Sequence, residues 1–215
     1  KLTGGVAGLL KKAGVRHVAG WGVMQDGKTC LVSDGSIKIT AKNVILATGS
    51  EAVELAHLPF GGDILSSTEA LQLAAVPETL AVVGGGYIGL ELGSAFASFG
   101  ARVTIVEAMD RLLPLYDAEL VRPVIKSLEK RGVEIFTNAK ATGQDGNALV
   151  IQTEDGAEKS VAAEKVLVTV GRRARLEGWG RENLALDIDG GHVRIDARCQ
   201  TAMSGVYAIG DLTGE

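Results

Sequence analysis

Leu80-Ala81-Val82-Val83-Gly84-Gly85-Gly86-Tyr87-Ile88-Gly89-Leu90-Glu91-Leu92 is the stretch from which the rest of the chain can be ordered. Its first four residues predict a buried strand, and the glycines after them fit G-x-G-x-x-G. From about Ile88 to Phe99 the apolar spacing predicts a helix, which Gly100 stops, and Arg102 to Val106 predicts a second strand. Strand, loop, helix and strand make a βαβ unit, so the two strands are parallel. Each glycine then has a role: Gly84 permits the tight turn, Gly86 lets backbone close on a diphosphate, and Gly89 lets the helix lie against the strand. Gly93 extends that close-packed face. The amides at the helix start, from Gly85 through Tyr87 and Ile88, together with the positive end of the helix dipole, suit an anion.

Glu107 follows Gly89 by 18 residues and ends the second strand. A carboxylate there can accept both ribose hydroxyls of an adenosine and would repel a 2′-phosphate, so NAD is expected rather than NADP. Arg111 alone argues the other way. The plainer alternatives are a solvated strand-end charge at Glu107 and a purely structural glycine turn.

Composition narrows the field. The chain has 215 residues, 46% of them hydrophobic, which is enough to bury a substantial core. A net charge of −4, with cations scattered among the acids, leaves no basic footprint for nucleic acid. The two cysteines, Cys30 and Cys199, lie 169 residues apart and offer neither a CxxC redox pair nor a cysteine-rich zinc site, so a reduced, cytoplasmic chain is expected. No apolar run is long enough to cross a bilayer and the amino end has no signal-peptide core, so no membrane partner is expected. His17, His57 and His192 have no acid or thiol at useful local spacing, and no metal site is expected. The absence of an initiator Met, and an end at Gly214-Glu215 straight after a turn, read as a piece of a longer protein.

Outward from the glycine loop, Val6 to Lys12 is a short apolar-periodic segment, followed by strand-like runs punctuated by Asp26-Gly27 and Asp34-Gly35. Val44 to Ala47 is the first clear strand. Ser66-Ser67-Thr68-Glu69 predicts an N-cap for a helix over Ala70 to Ala74, ended by Pro77. Asp117 to Arg131 predicts a helix with Pro123 inside it and Gly132 as its stop, and Val133 to Phe136 a strand. Ala148 to Val170 has period two and an Asp155-Gly156 turn, which predicts a small antiparallel meander.

Residues 39–49 can be laid on residues 161–171 at a constant offset of 122, each reading as a polar turn, a buried strand and a Gly. Gly84 precedes Gly171 by 87 residues, so a matching loop for the first copy would fall ahead of Lys1. A second carboxylate, Asp211, follows the apolar run Val206-Tyr207-Ala208-Ile209 and Gly210. Two readings of it stay open: acceptor for a sugar-like hydroxyl, or cap of a following helix.

These stretches, with Leu2-Thr3-Gly4-Gly5-Val6, Leu46-Ala47-Thr48-Gly49-Ser50, Arg111-Leu112-Leu113-Pro114 and Val170-Gly171-Arg172-Arg173, resemble the pyridine nucleotide-disulfide oxidoreductase family over the whole chain. Within it they are similar to the branch that oxidises dihydrolipoamide, including the type serving branched-chain 2-oxo acid dehydrogenase complexes. The resemblance implies an α/β, Rossmann-like FAD/NAD(P)-binding fold with a parallel sheet and a small antiparallel meander, plus remnants of a second, FAD-binding module. Residues 51–171 would form the NAD domain, set between strips 1–50 and 172–215 of an FAD domain. Val170, Gly171 and Arg172 would line the nicotinamide half, Glu91 would lie near the contact of nicotinamide with flavin, and Tyr87 would act as a lid. For FAD, Thr48 and Gly49 would lie near the nucleotide, Asp211 would hold the ribityl chain, and Gly22 would lend backbone on the adenine side.

The resemblance also implies partners: lipoyl domains of a 2-oxo acid dehydrogenase complex and a second subunit. The family's first glycine loop, its paired redox cysteines and its His-Glu acid-base pair are absent, and Cys30 and Cys199 do not match the redox pair. The chain as given is therefore expected to bind NAD(H) weakly and not to turn over dihydrolipoamide. Sibling reductases of another disulfide, of mercuric ion or of oxygen share this half, and a non-catalytic NAD-binding module is the reading from a different class.

Overall fold

The computed structural model describes residues 2–214; Lys1 and Glu215, where the two flanking strips were expected to begin and end, lie outside the described residues. The chain divides into two compact units, Glu51–Arg173 and the flanking segments Lys1–Ser50 with Ala174–Glu215.

The central unit is built on β1 (Ile64–Leu65), α1 (Ser67–Ala70), β2 (Thr79–Val83), α2 (Tyr87–Ser98), β3 (Arg102–Val106), α3 (Ala118–Lys130), β4 (Glu134–Phe136), β5 (Lys140–Asp145), β6 (Ala148–Gln152), β7 (Glu158–Ala162) and β8 (Lys165–Val168). Five of the strands form one sheet in the order β1-β8-β2-β3-β4, with every neighbouring pair parallel. Because α2 follows β2 and returns to β3 on one side while β8 flanks β2 on the other, the strand order reverses at the end of β2. That reversal leaves a crevice at the carboxyl edge, and the glycine loop occupies it.

Both faces of the sheet are covered, which explains why its inner strands read as continuous apolar runs. On one face Leu80, Val82, Val103, Ile105 and Leu167 pack against Leu90 and Phe96 of α2 and Leu128 of α3. On the other, Ala81, Val83, Val106, Val166 and Val168 pack against Leu149, Ile151 and Val161 of the strands β5–β7. Val82, Ile105 and Leu167 are fully buried; each such side chain contributes about 1.5–3 kcal/mol through removal from water.

Three expectations are corrected here. The meander begins earlier and ends earlier than its sequence pattern: β5-β6-β7 is antiparallel, but β8 leaves it to pair in parallel with β1 and β2. Lys140–Asp145 carries almost no strand-forming side chains, so its place in the ladder comes from pairing with β6 rather than from propensity. The helix expected over Ala70 to Ala74 is one turn, Ser67–Ala70, and does not reach Ala74. Ser66 and Glu69 cap each other reciprocally, but the chain after Ala70 is mostly exposed, Leu71 at 74%, and only Leu73 packs against the core. The third correction concerns the strand Val44–Leu46, expected to be buried: Leu46 is 4% exposed but Ile45, on the opposite face, is 63% exposed, so the strand buries one face only.

The parallel partner of that strand is Val206–Ala208, in the flanking unit. Here an antiparallel sheet of Gly22–Met24, Thr29–Val32 and Ile37–Thr40 accompanies a core of Met24, Leu46, Trp179, Val193, Val206, Ala208 and Leu212. The helix Leu2–Lys12 buries none of its residues.

Candidate functional site

Strand register assembles the site. Val168, Val83, Val106 and Phe136 lie in one row across β8, β2, β3 and β4. The residues that follow, Thr169, Gly84 and Glu107, therefore come out side by side at the carboxyl edge. Their amides continue the ladder: Thr169 donates to Val83 at 2.8 Å, Gly84 to Val106 at 2.8 Å and Glu107 to Phe136 at 2.8 Å.

Gly84 has φ +105°, a conformation closed to most side chains, and a Cβ there would stand 2.6 Å from the Thr169 carbonyl oxygen. Gly89, buried in the first turn of α2, lies so close to β2 that a Cβ would run into the Gly84 carbonyl and stand 2.6 Å from the Thr169 hydroxyl. A Cβ on Gly86 would meet nothing within 4 Å. The helix thus packs tightly underneath while the loop stays open above. Gly86 is the N-cap of α2, and the first intrahelical bond runs from the Leu90 amide to the Gly86 carbonyl. The amides of Tyr87, Ile88 and Gly89 accordingly have no acceptor within their helix, and they sit at its positive end.

Glu107 is not a solvated strand-end charge. It is 9% exposed, Oε2 accepts the Gly85 amide at 2.6 Å, and Oε1 accepts the Met109 amide at 2.7 Å. A carboxylate offers about four lone-pair sites, so two remain for a pair of vicinal hydroxyls. The guanidinium of Arg111 donates to the Pro114 carbonyl within its own turn.

Val170 stands beside the loop, with its amide nitrogen 3.1 Å from where a Gly84 Cβ would be. Gly171 follows with φ +138° and accepts the Val53 amide at 3.0 Å, and Arg172 is exposed on the strand after it. Tyr87 is 56% exposed at the mouth of the loop. Glu91 is exposed one turn further along α2, on the rim of an apolar groove of about 610 Å³ between α2 and α3 that Tyr87, Leu113, Tyr116, Leu120 and Val124 also line.

In the flanking unit the parallel pair brings Thr48-Gly49 and Gly210-Asp211 to the same edge, Ile209 donating to the Leu46 carbonyl at 3.0 Å. The Thr48 hydroxyl donates to Arg175 O at 3.1 Å, and the Ser50 hydroxyl donates to Asp211 Oδ2 at 2.5 Å. Gly210–Leu212 is a single 3-10 turn. Gly22 lies on the separate antiparallel sheet, where a Cβ would stand 3.0 Å from Cys30 Sγ.

Three contributors escape a motif reading. Leu112, almost fully buried, covers Gly85 so closely that a Cβ there would overlap it. Leu113, at φ +49°, donates its amide to the Gly85 carbonyl at 3.0 Å. Thr169 joins β8 to the loop. Their only sequence signals are the apolar pair inside Arg111-Leu112-Leu113-Pro114 and a hydroxyl at the end of an apolar run.

The sequence profile of the family described as Pyridine nucleotide-disulphide oxidoreductase matches residues 1–215. Among individual proteins, the chain is 48% identical over 218 residues to a dihydrolipoyl dehydrogenase of Pseudomonas aeruginosa, covering 100% of this chain and 47% of that protein. It is 41% identical to one of Geobacillus stearothermophilus, covering 99% of this chain and 46% of that protein. The chain spans about half the length of the relatives it matches. Among solved structures, LpdA of Mycobacterium tuberculosis superposes with a TM-score of 0.83 at 28% identity, covering 98% of this chain and 48% of that one. The Cu(II) complex of the HOCl-induced flavoprotein disulfide reductase RclA of Escherichia coli gives 0.83 at 26% identity, covering 96% and 48%.

Proposed function

Because this chain belongs to the pyridine nucleotide-disulphide oxidoreductase family, we propose that it carries the NAD-binding part, and a portion of the FAD-binding part, of a dihydrolipoyl dehydrogenase. Residues 51–171 serve as the NAD domain and strips 1–50 and 172–215 as parts of the FAD domain. The observation that carries this reading is the pairing of an open helix start at Gly86 with a carboxylate at Glu107 pinned by two backbone amides.

The residues fit a dinucleotide. The first-turn amides of α2 hold the diphosphate, with the helix dipole behind them. Glu107 takes the adenosine ribose and disfavours a 2′-phosphate, which selects NAD over NADP. Val170, Gly171 and Arg172 border the nicotinamide end, where Tyr87 shields the approach and Glu91 supplies a charge. For FAD, the edge formed by Thr48, Gly49 and Asp211 accepts the ribityl side, and Gly22 stands on the adenine side. When bound, the two cofactors supply the hydride chemistry; this chain holds and orients them.

The whole protein then oxidises dihydrolipoamide with NAD, and lipoyl domains of a 2-oxo acid dehydrogenase complex and a second subunit are its partners. Among the described residues no helix is long and apolar enough to cross a membrane. A cytoplasmic setting suits the free thiols of Cys30 and Cys199. Assay of the full-length protein tests the reading: dihydrolipoamide-dependent reduction of NAD supports it. NADH oxidation with a different disulfide, mercuric ion or oxygen as sole acceptor replaces the substrate, and failure to bind NADH removes the site.

A further inference from the structure

Thr169 occupies a junction of three parts of the site. Its amide donates to the Val83 carbonyl at 2.8 Å, and its hydroxyl lies 3.2 Å from the carbonyl oxygens of both Val83 and Gly84. The same hydroxyl fills the space that Gly89 leaves by having no Cβ. The Gly84 carbonyl and the Gly85 amide belong to one planar peptide unit, whose two ends point in opposite directions. The carbonyl end faces Thr169; the amide end donates to Glu107 at 2.6 Å.

The structure assigns Thr169 as a positioning residue for dinucleotide binding: with Glu107 it grips the Gly84–Gly85 peptide by both ends. That grip sets the position of the Glu107 carboxylate and the direction of the amides from Gly86 to Ile88. This rests on the dinucleotide reading of the site and adds to it a residue that touches no part of the ligand. A valine would fill nearly the same volume at the end of an apolar strand, so what the hydroxyl adds is its contact with the carbonyls of Val83, at the end of β2, and Gly84, in the loop.

NADH binding to the full-length protein, measured by calorimetry for wild type, Thr169→Val and Thr169→Ser, separates the two ideas. Loss of the hydroxyl in Thr169→Val is expected to raise the NADH dissociation constant about five-fold, while Thr169→Ser stays within about two-fold of wild type. The Gly85 amide, followed by hydrogen exchange without ligand, should exchange faster in Thr169→Val and not in Thr169→Ser. Wild-type affinity in Thr169→Val overturns the assignment and leaves the dinucleotide reading standing, whereas a wild type that binds no NADH overturns the reading itself. If Thr169→Val is unstable, the serine variant decides against wild type: affinity within about two-fold supports the assignment, while weakening of about five-fold in a variant that keeps the hydroxyl means that shape matters instead, and the assignment fails.

Discussion

The Glu107 carboxylate accepts the Gly85 amide at 2.6 Å, so the acid that ends β3 is tied to the loop that follows β2. The residue proposed to meet the ribose is thus also part of the loop's own scaffold. Removing it leaves the Gly85 and Met109 amides without their acceptor, each at a cost of about 1–3 kcal/mol if water does not replace it.

Glu107→Gln should therefore move two quantities together. An amide side chain cannot accept from both backbone donors, so the thermal midpoint should fall by roughly 4 °C or more, and NADH binding should weaken about ten-fold or more. Scanning calorimetry and a binding titration on the same preparation check this. A weakened affinity with an unchanged midpoint would mean that the Gly85 bond does not form in solution.

The glycines of the site should separate into those needed by the fold and those needed by the ligand. Gly89→Ala forces a methyl into the Gly84 carbonyl and the Thr169 hydroxyl and should cost about 1–3 kcal/mol. At Gly93 an added Cβ would meet Val82 and Val103 at 3.5 Å, ordinary contact, so Gly93→Ala should be neutral or stabilise by up to about 1 kcal/mol through helix propensity. Gly86→Ala places its methyl in open space and should change the thermal midpoint little, yet it should weaken NADH binding. Denaturant melts with parallel NADH titrations distinguish the three.

Acid should loosen the single-turn helix α1. The Ser66 hydroxyl donates to the Glu69 carboxylate, and the Ser66 amide donates to it at 2.9 Å, which together hold its pKa below the ordinary value of 4.5 despite some burial. A carboxyl depressed in the folded state stabilises fully above its unfolded pKa and loses that contribution as pH falls through the folded one. The stability difference between wild type and Glu69→Gln should accordingly be present at neutral pH and shrink below 4.5. Equal differences at both ends would mean that the capping interaction does not depend on ionisation.

Asp211 accepts from Ser50 at 2.5 Å and keeps lone pairs for another donor. In the full-length protein Asp211→Ala should lower the amount of flavin retained through purification, measured by absorbance, while Ser50→Ala should lower it less. Equal flavin content in Asp211→Ala and wild type would detach Asp211 from that cofactor.

The parallel unit was legible because its signals are local and agree with one another. Val82 and Ile105 sit in short apolar runs, Gly84 opens the loop and Gly100 closes the helix, so strand and helix boundaries fall within a residue of their pattern. The role of β8 was hidden because a strand buried on both faces and a strand of a meander share an apolar run, and only its partners tell them apart. Lys140–Asp145 was hidden because a ladder can recruit residues with little intrinsic preference for it. In the site, Gly84, Gly86 and Glu107 announce themselves by spacing. Thr169 and Leu113 do not, because their hydrogen bonds to the loop cross long stretches of chain.

The bond from Thr169 to Gly84 spans 85 positions. During synthesis a glycine loop can therefore emerge long before the residue beneath it exists, and β2, α2 and β3 can pair locally while the loop between them still lacks its floor. Long-range closure of this kind is slow and comes late. A chain that stops short of β8 should thus hold its βαβ unit while the glycine loop still lacks the contact that closes it from below.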